Sequence, residues 1–342
     1  MTLQAIFEEF HDKIRISSIK EDELREKRDI LLRILREKDD IPSFEEYNQG
    51  SYAMHLGVNP LGDEREYDID VALRFSIDKD DYDPLDIKKR IQGALENHTN
   101  YGAEIKKPCV TVTYQKDGSA EYHIDLVTYS YFDKNDHTSQ MYIALGKEND
   151  GITWEKADPV GLVDYINDKI DDIEKRKQFR RVVKYLKRWK HIKFKSGGHE
   201  EPPSIGITLI AIDSFNPTVN NDLQVLINTA KSIQSKFKLK AYDSDNKRYL
   251  YEIDYSLPNI LKFEPGHNVF GKMSLKQMTT FKEKIDKLVS DLQEVYDEPD
   301  LVKQCNKLRN IFGDDFYVPD PKDVSKIQMN YIPRSTASGT GK

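Results

Sequence analysis

Cysteine is nearly absent from this sequence: Cys109 and Cys305 are the only two, far apart and without a partner spacing. That excludes a disulfide framework and the paired Cys/His spacing of a structural zinc site. No apolar run approaches the ~20 residues that a membrane-spanning helix needs, so no membrane association is expected. The opening stretch MTLQAIFEEFHDKIRIS is interrupted by acids and does not read as a signal peptide. A reducing cytoplasm is the expected location. Positive charge is also not in excess, with 52 Lys and Arg against 59 Asp and Glu and a net charge of -7. A protein that coats nucleic acid would need a basic surface, whereas one local basic cleft remains compatible with this balance.

What is present is a well-charged globular composition, 38% hydrophobic and 32% charged over 342 residues, enough for two packed lobes. Apolar residues at Leu24, Ile30, Leu31, Ile34 and Leu35 predict a long amphipathic helix from about Glu21 to Lys38, stopped by Asp39, Asp40 and Pro42. Tyr67–Phe75 reads as a strand. Val110–Tyr114 and Tyr122–Tyr129 read as a hairpin about the turn signal Lys116-Asp117-Gly118-Ser119, and Asp86–Asn97 reads as a helix between them. Helix, strands, helix, strands is the order of an α/β or α+β lobe. From about Pro159 the spacing turns helical, over Val160–Trp189, Ile205–Phe215, Leu223–Phe237 and Leu275–Tyr296. The expected division is a first lobe over 1–158, a helical lobe over 159–318, and a tail over 319–342 with no means of building a core.

The sharpest chemical signal is Tyr67-Asp68-Ile69-Asp70-Val71. Residues two apart on a strand share a face, so Asp68 and Asp70 project together while Ile69 and Val71 enter the core. Paired carboxylates repel unless a cation lies between them, and hard oxygen ligands suit Mg²⁺. Asp-x-Asp also occurs at Asp78/Asp80 and Asp243/Asp245, but among polar neighbours that read as solvated turns. Only Asp68/Asp70 interrupts an apolar strand. Asp125, in His123-Ile124-Asp125-Leu126-Val127, is a third acid within a strand pattern and joins the pair if its strand lies alongside. It is then the candidate to orient or deprotonate an attacking hydroxyl; the bland reading is a salt-bridged edge aspartate.

Two features suit phosphate. Gln49-Gly50-Ser51-Tyr52 offers a glycine that permits close backbone approach and a hydroxyl beside free amides. A lone Gly-Ser is usually a turn. Lys175–Lys195 holds eleven Lys or Arg and no acid. Its stripe of Phe179, Val182, Val183, Leu186 and Trp189 anchors a helix whose charges are expected mostly in solvent. Helical geometry leaves Lys184, Lys187 and Lys190 all open as phosphate contacts.

Taken together, Gln49-Gly50-Ser51, Asp68-x-Asp70 and Asp125 resemble the motif of the polymerase-beta-like nucleotidyltransferase superfamily. Within it the chain is similar to the bacterial cGAS/DncV-like nucleotidyltransferases, or CD-NTases, the signal-generating enzymes of cyclic-oligonucleotide antiphage systems. The 17-residue step from Ser51 to Asp68, the segment Val183–Trp189 followed by Pro203-Ser204-Ile205, and Lys307–Phe316 carry the narrower resemblance.

The resemblance implies an α+β fold: a nucleotidyltransferase lobe with a mixed sheet and a mostly helical C-terminal lobe. It implies that Asp68 and Asp70 bind two Mg²⁺ ions, or Mn²⁺, and that Asp125 completes one of the sites. Gln49, Gly50 and Ser51 would hold donor phosphates, with Lys187 and Ser204 reaching the triphosphate from the helical lobe. Substrates would be nucleoside triphosphates, ATP or GTP or both, with pyrimidine nucleotides open. The sequence has no Cys/His finger, so activation by double-stranded DNA is not expected. Regulatory or conjugating proteins encoded nearby are possible partners, although the terminal Lys342 departs from the small residue expected of a conjugated tail. Two competing readings stay open: a non-cyclising transferase acting on RNA, protein or a small molecule, and an inactive nucleotide-binding sensor.

Overall fold

Capping side chains decide where the helices start. Ser17 Oγ accepts from the Lys20 amide at 3.4 Å and so begins the first long helix at Ser18, three residues before the hydrophobic pattern predicts. The computed structural model describes residues 1–61, 67–116, 119–149, 151–194, 201–259, 261–263 and 266–322. Its helices are α1 (Leu3–Ile14), α2 (Ser18–Arg36), α3 (Gly50–Ala53), α4 (Pro84–Leu95), α5 (Pro159–Asp168), α6 (Ile173–Lys193), α7 (Ser204–Asp213), α8 (Asp222–Gln234), α9 (Leu275–Tyr296) and α10 (Leu301–Phe312). The strands are β1 (Phe44–Gln49), β2 (Tyr67–Asp78), β3 (Ala103–Ile105), β4 (Val110–Lys116), β5 (Ser119–Tyr131), β6 (Met141–Lys147), β7 (Gly151–Ala157), β8 (Phe237–Asp243) and β9 (Arg248–Ile253).

The main sheet runs β1-β2-β5-β4-β3, with β6 on β5 and β7 on β6. β2 and β5 are parallel and their other neighbours antiparallel, which makes the sheet mixed. The alternation read from the sequence holds: Ile69, Val71 and Leu73 are fully buried, in a core with Leu24, Leu31 and Leu35 of α2 and Ile87 and Ile91 of α4. The β4–β5 hairpin forms as expected; its turn residues 117 and 118 lie outside the described residues, as does the tail from residue 323.

A second core belongs to the helices. Val182, Tyr185, Leu186 and Trp189 of α6 pack with α8, α9 and α10. Ile6, Phe7, Phe10 and Ile14 of α1 join this core, so the chain starts against the helical lobe before entering the first one. The turn after α3 ties the two together, because Met54 and Leu56 pack with Val163, Phe179 and Leu209.

Two expectations are corrected. Val160–Trp189 is not one helix. Asp172 accepts from the Lys175 amide at 2.9 Å and caps a new helix, so α5 and α6 are separate. The charges of α6 are not mostly solvated either: Lys184, Lys187, Arg188 and Lys190 are all buried. A 21-residue helix surrounded by α1, α7, α8 and the α3 turn has little face left for water.

Candidate active site

Sheet register builds one row of polar side chains. Gln49 pairs with Asp70, Asp70 with Asp125, and Asp125 with Thr111 across β1, β2, β5 and β4. Residues directly opposite share a face, so these four stand on the face away from the α2/α4 core. Asp68 precedes Asp70 by two and shares that face, opposite His123. Asp68 is exposed, whereas Asp70 and Asp125 are half-buried.

The carboxylates interact without enclosing a ready-made cage. Among the described residues, no three His, Cys, Asp or Glu side chains form a preformed metal site. Asp125 Oδ1 instead accepts from Thr111 Oγ1 at 2.6 Å, and its Oδ2 lies 3.7 Å from His123 Nε2. Asp70 is pushed up to about 8 by burial first, then by Asp68 and Asp125, with Lys187 opposing. A buried acid beside two others is short of positive charge. The donor set fits Mg²⁺, which commonly takes one or two carboxylates and completes its shell with water and substrate phosphate.

Gly50 is where the backbone demands glycine. Its φ is +64°, and a Cβ there would sit 1.9 Å from Asp70 Oδ2. The Gly50-Ser51 turn therefore rests directly on the Asp70 carboxylate. Gln49 is fixed beside it, its Oε1 accepting from the buried Tyr129 hydroxyl at 2.9 Å. Gln49, Gly50, Ser51 and Asp70 line a cavity of about 740 Å³ together with Ser204, Ile205 and Thr208 of α7. Tyr142 and Trp154 add aromatic surface to its lining. Asp68 and Asp125 are not in this lining.

Lys187 and Ser204 do not meet. Lys187 Nζ donates to the Leu56 carbonyl at 2.8 Å, and its ammonium is pulled down to about 8 by burial while Asp68 and Asp70 hold it up. The partner of Ser204 is Lys190, whose Nζ lies 2.7 Å from Ser204 Oγ and 3.2 Å from Glu201. Helix periodicity admitted both lysines, and only the placement of α7 against α6 separates them. Sequence reasoning also missed Thr111. Its signal was present, since alternation with Val110 and Val112 puts Thr111 on the polar face of β4.

The comparisons with known proteins agree with this architecture. Residues 44–129 match the family described as "Cyclic GMP-AMP synthase DncV-like, nucleotidyltransferase domain". A cyclic GMP-AMP synthase of Escherichia albertii is 27% identical over 192 residues, 54% of this chain and 40% of that protein. A c-di-GMP synthase of Roseivirga ehrenbergii is 22% identical over 58% of this chain and 57% of its own length. This chain thus spans about half the length of the curated relatives it matches. In fold it is similar to the Vibrio cholerae DncV cyclic AMP-GMP synthase, with TM-score 0.65, 17% identity and 90% and 93% of the two chains covered. It is likewise similar to the Bradyrhizobium diazoefficiens CD-NTase CdnG in complex with GTP, with TM-score 0.67, 16% identity and 91% and 95% covered.

The sheet and the matched segment define a nucleotidyltransferase domain. Over residues 44–129 that domain is of the DncV-like type, and the chain is similar to cyclic-dinucleotide synthases of the cGAS/DncV-like group. Among the described residues, no helix is long and apolar enough to cross a membrane.

Proposed function

We propose that the protein joins nucleoside triphosphates into a cyclic di- or trinucleotide. The observation that carries this reading is the Gly50-Ser51 turn lying on Asp70 in the lining of a cleft of about 740 Å³, with Asp125 opposite Asp70 in the sheet. Gln49, Gly50 and Ser51 hold the donor β- and γ-phosphates from the sheet side. Ser204 with Lys190 contacts the triphosphate from α7 and α6, and Lys187 lends positive charge beside Asp68 and Asp70. Asp68, Asp70 and Asp125 would hold two Mg²⁺ ions, or Mn²⁺, which would supply electrostatic stabilisation of the developing charge.

Asp125 orients the acceptor ribose hydroxyl and draws on its proton, with Thr111 fixing one carboxylate oxygen. The hydroxyl oxygen bonds to the donor α-phosphorus as the bond to the β-phosphate bridging oxygen breaks, and pyrophosphate leaves. The linear product turns in the cleft, and a second transfer closes the ring. Positioning accounts for most of the acceleration. Substrates are ATP, GTP or both, the product a second messenger, and the setting a cytoplasmic antiphage response. GTP stands in the complex with CdnG, a relative of the same fold.

Mass spectrometry of products from all four ribonucleoside triphosphates with Mg²⁺ or Mn²⁺, before and after phosphatase, tests this. Phosphatase-resistant cyclic products are expected. Label appearing only on RNA or protein would replace the reading with that of a non-cyclising transferase.

A further inference from the structure

A second cavity, of about 500 Å³, lies on the other side of α3 and shares no lining residue with the nucleotide cleft. Lys184 of α6 stands in its wall, 9% exposed. The hydrogen-bond partner of its Nζ is His11 Nε2 at 3.4 Å. Burial, then Lys184, pushes that imidazole down to about 4, so it is neutral and offers a lone pair without charge. Among the described residues, no carboxylate lies within salt-bridge distance of Lys184. Arg180, one helical turn away in the same wall, donates to the neutral Asn167 side chain at 3.0 Å. It too has no salt bridge among the described residues.

Most other charges of this cavity are matched. Arg15 pairs with Asp12 at 3.0 Å, Arg181 with Asp222 at 2.7 Å, and Lys177 with Glu174 at 2.8 Å. Glu21 is turned towards Arg25 at 3.7 Å, while Glu8 takes only the neutral Gln4 amide at 2.9 Å and its charge acts on Arg181. Two cations therefore remain with neutral partners only. A buried ammonium with no salt-bridged counter-ion is costly, and here Lys187, Arg15 and Arg180 add repulsion at Lys184, with Glu21 opposing. What balances two such charges is a small ligand carrying two negative charges. Tyr52 and His55, in the wall formed by α3 and the turn after it, offer ring surface for the rest of such a molecule.

We propose that this cavity binds a small organic dianion, its oxyanion held by Lys184 and Arg180 and its body lying against Tyr52 and His55. The ligand bridges the segment that follows Ser51 to α6, so it braces the phosphate-binding turn from behind. A phosphate monoester and a dicarboxylate share the required charge.

Thermal unfolding of the full chain in inorganic phosphate and in succinate, each against chloride at matched ionic strength, tests the proposal. A ligand at a hundred times its Kd stabilises by about 2.7 kcal/mol, a shift of several degrees in melting temperature. We expect phosphate, succinate or both to raise the melting temperature of the wild type and of Ser51→Ala. Lys184→Met and Arg180→Gln should each weaken that response at least tenfold in apparent Kd. The anion that acts identifies the source, phosphate ester or carboxylate. The proposal is overturned if neither anion stabilises the wild type. It is equally overturned if Ser51→Ala loses the response while Lys184→Met and Arg180→Gln keep it, because the anion then sits in the nucleotide cleft.

Discussion

Asp70 stands directly opposite Asp125 in the parallel pairing of β2 with β5, and Gly50 closes over the Asp70 carboxylate from β1. Three backbone segments thus bring two acids and the Gly50-Ser51 turn into one place. The acids repel, and the protein carries that repulsion in its folded state. A cluster that costs stability and serves no packing purpose is a candidate functional site.

Removing both acids of the Asp68-x-Asp70 pair should therefore separate function from folding. The Asp68→Ala, Asp70→Ala variant is expected to lose at least 10³-fold in synthesis rate while its urea midpoint holds or rises. Product mass spectrometry and equilibrium unfolding check the two halves. Retained synthesis would remove these aspartates from the mechanism.

Gly50→Ala tests the close approach. The new methyl must displace the Asp70 carboxylate and adopt a positive φ, which L side chains disfavour. A loss of about 1–3 kcal/mol in unfolding free energy is expected, together with a fall in turnover of more than about a hundredfold, since an ångström of misplacement is enough for that. Initial-rate kinetics beside urea titration measure both.

Thr111 holds Asp125 without reaching the cleft. Thr111→Val removes the 2.6 Å hydrogen bond while conserving shape, and should lower kcat about ten- to a hundredfold with little change in KM. Thr111→Ser restores the donor and should recover most of the rate. If the valine and serine variants behave alike, the hydroxyl has no part in positioning Asp125.

His11 gives the stability a pH dependence. Burial, with Lys184, Arg181 and Arg15 facing it and Asp12 opposing, lowers its pKa from 6.5 to about 4. Between those values the unfolded chain binds the proton and the folded chain does not. The neutral-imidazole contribution is thus full above about pH 6.5 and is lost as the pH falls to 4, at no more than about 1.4 kcal/mol per unit. His11→Gln keeps an acceptor for Lys184 and should flatten that slope. Unfolding free energies at pH 4.5, 5.5 and 7 measure it, and equal slopes in the two proteins would refute the assignment.

The site was legible in part because its chemistry leaves marks on single segments. Asp68 and Asp70 interrupt an apolar strand, and the strand period alone puts them on one face. Gln49-Gly50-Ser51 could be flagged only by its distance from that strand. The buried lysines of α6 could not be ranked, because a helix winds Lys184, Lys187 and Lys190 through neighbouring directions and sequence does not say which element lies in each. Nor did any periodicity announce that Asp172 restarts the chain as a new helix, since the apolar spacing continues across the break.

Local pattern was thus enough to determine a lobe of mixed helices and strands, α/β or α+β, the long helix α2, the β4–β5 hairpin and the face on which the acids stand, because these depend on period within one stretch of chain. Register between β2 and β5 decided that Asp70 meets Asp125. The packing of α7 on α6 gave Ser204 to Lys190 and left Lys187 with the Leu56 carbonyl, and the return of α1 against α6 faced His11 with Lys184. Those outcomes rest on contacts between residues up to 173 positions apart, and such contacts are fixed only when both cores close together.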